Sequence, residues 1–327
     1  MLFNQSIIAQ MCRVSTNTIS RTVSSLGIDP DDEHSSHKRF GIDSTRKITN
    51  HVFAKDKRPV LDKTQVFYNF KGGTGKTSLC FQISTHLSLL GFNVLALDLD
   101  PQGHLSASLG IEEGWNGPTV YDVLIHDVAI EECLLEVFPG FNLLPANISM
   151  TRIEVPLSSK TKREEKIRNL LEPIKHLYDF IIIDTNPTIS TLNMNALVAS
   201  DRINIVCETQ PFSLSGLRVL VDEMESFYFD MNMSPKYCII PNKYEIKTAT
   251  AQEILGALRN EYKNNVMSAV VRKAEEINIA NKKHMPISAF CKPKSTAFED
   301  IMDLVHIIIN ESVQKFAAAK ESKENVK

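Results

Sequence analysis

The segment Lys71-Gly72-Gly73-Thr74-Gly75-Lys76-Thr77 constrains this chain more than any other feature. An apolar run at 65–70 precedes it and a helical pattern at 76–90 follows it. Glycines placed between a strand and a helix let backbone N–H groups turn inward and approach an anion closely. The helix start adds the partial positive charge of its unpaired N–H groups. Lys76 then reaches the outer phosphates of a nucleotide, the Thr77 hydroxyl faces a divalent cation, and Ser78 stands next in line. The expectation is a phosphate-binding loop.

The chain beyond this loop agrees with such a site. Short apolar runs recur at 93–98, 179–184, 203–208, 237–241 and 266–271, separated by turns and helical patterns such as 213–229. Apolar runs that do not alternate belong to strands covered on both faces, so the expected fold is α/β, with a mostly parallel, doubly wound sheet. Ligands in such sheets bind beyond the carboxyl ends of the strands. Two carboxylate motifs fall there. Asp98 and Asp100, two apart at a strand end, share a face, while Asp184 closes the run Phe180-Ile181-Ile182-Ile183.

The first sixty residues read differently. They carry nine Lys/Arg against six acids, so they sum to +3 while the whole chain is −3. A basic segment on an acidic body hints at a polyanion partner. Residues 8–21 have the pattern of a helix-turn-helix, with Ala9, Cys12, Val14 and Ile19 at the small and apolar positions and Ser15 as N-cap of the second helix. That helix directs Thr16, Asn17, Ser20 and Arg21 toward a major groove. The segment resembles the helix-turn-helix of Lac-repressor-type regulators. Gly27-Ile28 and Lys38-Arg39-Phe40 resemble the wing region of mercury-resistance-regulator-like domains. The expected organisation is a mostly helical, winged helix-turn-helix domain at 1–52, a linker at 53–64, a nucleotide-binding domain at 65–314 and a charged tail at 315–327.

The loop departs from the common phosphate-loop pattern, which needs glycine where Phe70 stands, and it places a second lysine, Lys71, ahead of the glycines. In this it resembles the deviant Walker A loop of the ParA/MinD/Soj class of P-loop NTPases over about residues 65–312. The resemblance implies ATP and Mg²⁺ as cofactors. It assigns Lys71 to the nucleotide of a second copy across an ATP-bound homodimer, and gives Lys71, Lys76 and Asp100 the catalytic roles, Asp100 positioning the attacking water. It places Asp98, Thr77 and Asp184 around the metal, and Pro241-Asn242-Lys243 against adenine. His104 stands where the family often has Asn, and Asn186 where it usually has a second proline. Arg272 and Lys273, with Lys282 and Lys283, are the candidates for sequence-independent DNA binding.

The implied activity is ATP hydrolysis that times DNA attachment in partition of a plasmid, with a centromere-binding ParB-type partner. The N-terminal domain would bind operator DNA and repress the protein's own operon. A cytoplasmic, nucleoid-associated protein is expected, because no apolar run approaches the ~18 residues of a membrane span. A MinD-like positioning ATPase would need a basic amphipathic tail with bulky apolar residues, and the stretch from Phe316 is poor in them. An iron-protein-like electron carrier would need cluster cysteines. Cys12, Cys80, Cys133, Cys207, Cys238 and Cys291 show no such spacing and read as buried thiols. A transcription factor with a regulatory nucleotide site is the remaining alternative.

Overall fold

The computed structural model describes residues 1–32, 38–53, 59–112, 114–211 and 213–313. Most of the expected linker's charged core (54–58) and the tail lie outside the described residues.

The phosphate loop sits on strand β3 (Thr64–Tyr68), after a short ribbon of β1 (Phe3–Asn4) and β2 (Arg39–Phe40). The strands that follow are β4 (Val94–Asp98), β5 (Leu135–Phe138), β6 (Phe141–Leu144), β7 (Phe180–Asp184), β8 (Arg202–Glu208) and β9 (Tyr237–Asn242). Seven of them form one sheet in the order β5-β6-β4-β7-β3-β8-β9, parallel except for the edge pair β5–β6. Strand β3 therefore lies between β7 and β8, where chain connections leave toward both sides, and the loop emerges there.

Each central strand is buried throughout, and its alternate side chains feed two cores. In β4, Val94 and Ala96 join one apolar cluster while Leu95 and Leu97 join the other. This is why the runs show no polar alternation in the sequence. All six cysteines are free, and five of them are buried, as expected for small apolar side chains. Among the described residues no helix is long and apolar enough to cross a membrane.

Two features differ from the sequence expectation. The run 266–271 joins no ladder: Val266 forms an isolated bridge to Ile239 of β9, and just past the run and the strand Arg272 bridges Tyr244. Its ends bond to β9 through Met267 N–H to Ile239 O and Val271 N–H to Pro241 O, both 2.9 Å, while the middle leaves the ladder. Conversely, the β5–β6 hairpin adds an antiparallel edge, with Pro139-Gly140 at its turn and Gly140 at φ +80°.

The N-terminal segment builds onto the first core. Helix α1 (Gln5–Met11) and helix α2 (Thr16–Leu26) are joined by residues 12–15, with Arg13 at φ +54°. The Ser15 hydroxyl caps α2 by accepting the Thr18 N–H at 3.1 Å. Phe3, Ile7, Ile8, Met11 and Ile19 are buried in the cluster that also contains Leu87 and Leu304. Helix α3 (Ile42–Phe53) crosses to helix α4 (Lys76–Leu89) and satisfies its C-terminal end. The Arg46 guanidinium donates to Ser88 O, to Ser88 Oγ at 2.5 Å and to Phe92 O at 3.1 Å, and the Thr49 hydroxyl donates to Leu89 O at 2.7 Å. A helix end leaves such carbonyls without partners of its own.

Candidate nucleotide site

The site is made by one loop and the ends of four strands. Residues 69–75 link β3 to α4, with Gly73 at φ +75° and Gly75, the N-cap of α4, at φ +95°. No side chain caps α4, so its first N–H groups are available to an anion. A Cβ on Gly75 would collide with the Asn242 amide, so the loop needs glycine here for both its backbone and its neighbour. Asn69 ties the loop down: its amide donates to Val206 O and its Oδ1 accepts the Lys71 N–H, each at 2.8 Å.

Lys76 and Lys71 occupy different environments. Lys76 is buried at the first turn of α4, and burial holds its ammonium below the ordinary lysine range despite Asp184 nearby. Lys71 is half exposed and pairs with Glu208 at 2.9 Å. Lys243 pairs with the other Glu208 oxygen, also at 2.9 Å. Asn242 Nδ2 donates to Thr74 O at 2.7 Å and Lys243 Nζ to Gly73 O, so the expected adenine-contacting residues hold the phosphate loop from the side. Pro241 is buried within β9.

Three carboxylates line the floor and crest. Asp98 and Asp184 are register partners on β4 and β7. Asp98 is fully satisfied: Oδ1 accepts the Asp100 N–H at 3.0 Å, and Oδ2 accepts the Ser106 N–H and hydroxyl, both at 2.8 Å. Asp184 lies next to α4, with Cys80 Sγ 3.7 Å from Oδ1, and its Oδ2 is buried with no partner. Burial, then the charge of Asp98, push the Asp184 carboxyl well above the usual range, against the Thr77 hydroxyl and Lys76. Asp100 accepts the Gln102 N–H at 3.0 Å and lies 3.2 Å from His104 Nδ1. A cleft of about 760 Å³ opens beside His104, lined also by Trp115, Ile148 and His284.

An orphaned buried carboxylate oxygen beside a threonine hydroxyl is the arrangement a divalent cation corrects. Among the described residues no cluster of three or more His, Cys, Asp or Glu side chains could hold a metal. The protein donors here suit a cation that keeps waters and phosphate oxygens in its shell, as Mg²⁺ does.

The sequence-predicted residues thus separate into groups. Lys71–Ser78, Asp98, Asp100, Asp184 and Asn242–Lys243 surround one loop. Thr16, Asn17, Ser20 and Arg21 on α2 and Lys38 and Arg39 at the ribbon are all exposed. Arg272 is held by Asp300 through Nε at 2.8 Å and Nη2 at 2.5 Å, and Lys273 by Glu245 at 2.9 Å. Lys282 and Lys283 remain exposed, Lys283 over the Phe290 ring. The structure adds Glu208, Asn69 and Ser106, which the sequence reading does not include. Glu208 has a readable signal, since it closes a buried parallel strand just as Asp98 and Asp184 do.

A parallel sheet whose central strand feeds a glycine loop and an uncapped helix, with an acidic strand end beside it, defines a P-loop nucleotide-binding protein. A family model described as an AAA domain (AAA_31) matches residues 62–236. The cell division protein PomZ of Myxococcus xanthus is 30% identical over 79% of this chain and 81% of its own length. The chromosome-partitioning ATPase Soj of Treponema pallidum is 31% identical over 70% of this chain and 90% of its own. The structure of a substituted Cyanothece McdA in complex with ATP shares the fold, with TM-score 0.69 and 19% identity over 76% of this chain and 97% of that one. The chain belongs to the ParA/Soj family of partition ATPases.

Proposed function

We propose that this chain is an ATP-driven switch for DNA partition, of the kind that segregates a plasmid. ATP binds at residues 71–78 with Mg²⁺, two copies associate through it, and the dimer holds DNA without regard to sequence. Hydrolysis, stimulated by a centromere-binding ParB-type partner, releases the DNA. The observation that carries this reading is the pair of lysines on one loop: Lys76 is buried in its own cradle, whereas Lys71 is 47 % exposed and leans away from it. A lysine in that position serves a phosphate that its own loop does not hold.

Thr77 and Asp184 would hold the Mg²⁺, with Asp98 supporting Asp184 from the neighbouring strand. The bound cation supplies charge neutralisation at the phosphate oxygens. Lys76 and the N–H groups of α4 bind the phosphates. Asp100, at the rim with its carboxylate fixed by Gln102, orients the water. Asn242 and Lys243 keep the loop in its binding shape beside the base.

The exposed face of α2 supports a second, sequence-reading contact. Thr16, Asn17, Ser20 and Arg21 project from a helix whose opposite side, Ile19 and Val23, is buried. Lys38 and Arg39, exposed at the β1–β2 ribbon, would add backbone contacts, and together these residues would bind the operator and repress the operon.

ATP turnover with and without nonspecific DNA and partner, on wild type and on Lys71→Ala, Lys76→Ala and Asp100→Ala, tests the switch. All three variants should lose stimulated turnover, and a wild-type rate in Asp100→Ala would remove it from the water-positioning role. Operator footprints should vanish in Asn17→Ala/Arg21→Ala while turnover persists. Operator binding with no turnover under any stimulation would instead leave a nucleotide-regulated repressor.

A further inference from the structure

Glu208 ends β8 with its side chain only 8 % exposed, and each of its oxygens takes one lysine of the site, Oε2 from Lys71 and Oε1 from Lys243, both at 2.9 Å. Burial acts to raise this carboxyl, yet the hydrogen bonds from Lys243 and Lys71 hold it below the usual range. Lys243 adopts φ +52°, an uncommon backbone for a lysine, and its ammonium also donates to the Gly73 carbonyl. The space beside the pair, lined by Asn69, Lys71, Thr74, Glu208 and Ser213, is about 30 Å³. That admits about one water and excludes a phosphate. A phosphate therefore cannot enter beside the pair, and one that engages Lys71 from its exposed side competes with Glu208 for the ammonium.

We propose that Glu208 is a positioning residue that sets the nucleotide selectivity of dimerisation: it holds Lys71 on its own chain in place of a phosphate, and releases it only to a triphosphate presented by a second copy. This rests on the reading that Lys71 acts across the dimer. The two-lysine arrangement makes the exchange feasible. Removing the only partner of a buried carboxylate leaves an uncompensated charge, which is strongly unfavourable. Here Lys243 stays behind, so Glu208 remains paired after Lys71 departs. Lys71 itself is half exposed, so the bond it gives up is a modest one. A diphosphate offers less charge at the outer position and leaves Lys71 where it is.

The test is sedimentation of the full chain against a non-hydrolysable ATP analogue and, separately, ADP, with melting curves for every variant. Glu208→Gln removes the competing charge and keeps the shape. It should lower the analogue concentration for half-dimerisation about three- to tenfold and let a dimer form in ADP. Glu208→Asp, whose shorter carboxylate reaches the ammonium groups less well, should shift the same way by less. Lys71→Ala should abolish the dimer. If Lys71→Ala dimerises as wild type does, the assignment of Lys71 fails. If Lys71→Ala fails to dimerise while Glu208→Gln, melting normally, keeps the wild-type midpoint and its need for ATP, the role of Glu208 is overturned alone. Loss of folding in both Glu208 variants would place that residue in the scaffold and overturn it equally.

Discussion

Asp98 and Asp184 lie opposite each other on β4 and β7, yet Ser106 and the Asp100 N–H satisfy Asp98 while Asp184 keeps a buried oxygen with no partner. Two neighbouring acids of the same type therefore answer differently to the same substitution.

Asp184→Asn should melt at least as high as wild type in the absence of nucleotide, because burial already holds this acid protonated and its Oδ2 has no partner to lose. Its ATP turnover should fall at least about 100-fold. Asp98→Asn should melt lower, by about 1–3 kcal/mol in denaturant titration, because its amide meets donors on both sides. Scanning calorimetry and turnover on the two proteins, side by side, check the pair; matching shifts would show that their environments are equivalent.

Gly75→Ala should lose nucleotide binding and stability together. The φ of +95° disfavours any side chain, and the new Cβ meets the Asn242 amide. The expected loss is about 1–3 kcal/mol. Adding Asn242→Ala should relieve the collision and restore part of the stability, but not binding, since the strained backbone remains. Isothermal titration with an ATP analogue and urea unfolding read the two effects separately.

Stability should decline on acidification through two buried imidazoles. Burial lowers His86 and His306 to about 4 from 6.5. A carbonyl only accepts, so His86 Nδ1 donates to Gln82 O at 2.6 Å and His306 Nε2 to Met11 O at 2.8 Å. Burial keeps both rings neutral in the folded chain, against these bonds to carbonyls, which favour the charged form. The unfolded chain takes up the protons first, so stability is complete above about pH 7 and is lost as pH falls toward about 4. At pH 5 the loss is about 2 kcal/mol per ring. Asp98 and Asp184, raised by burial, act in the opposite sense over this range, so the check is a difference: in urea unfolding between pH 7.5 and 5, His306→Gln should lose less stability than wild type does.

Arg46→Ala should destabilise the chain by about 1–3 kcal/mol, since it removes the guanidinium donor from Phe92 O and Ser88 Oγ, while Ser88 O keeps the Gly91 N–H. Arg46→Lys, with one donor centre in place of the planar fork, should recover only part of that. Chemical denaturation of the full chain measures both.

The phosphate loop is legible in the sequence because its chemistry is local: glycines, two lysines and a threonine act where they stand in the chain. Asp98 and Asp184 are legible because each ends an apolar run, and Ser15 because capping is read within three residues. The rest depends on pairing between distant segments. Glu208 acquires meaning only when β8 lies beside β3 and its carboxylate meets Lys71 and Lys243. The run 266–271 looks like a strand until one sees that β9 bonds only its ends. Arg272, a free cation in the sequence, faces Asp300 twenty-eight residues later. The β5–β6 hairpin does carry a local signal, Pro139-Gly140, but its strands are short and half-buried, so they lack the continuous apolar run that marks the central ones.

Helix α4 spans about 20 Å by its fourteen residues, and its two ends are held by different parts of the chain. At one end Lys76 sits buried in the phosphate loop; at the other, Arg46 and Thr49 donate to Ser88 O and Leu89 O. The first fifty residues are thus the far abutment of the beam that carries the phosphate loop. A shortened protein that lacks them would leave Leu89 O and Phe92 O without these donors and part of the first core uncovered, and it would report on a damaged beam rather than on an isolated motor.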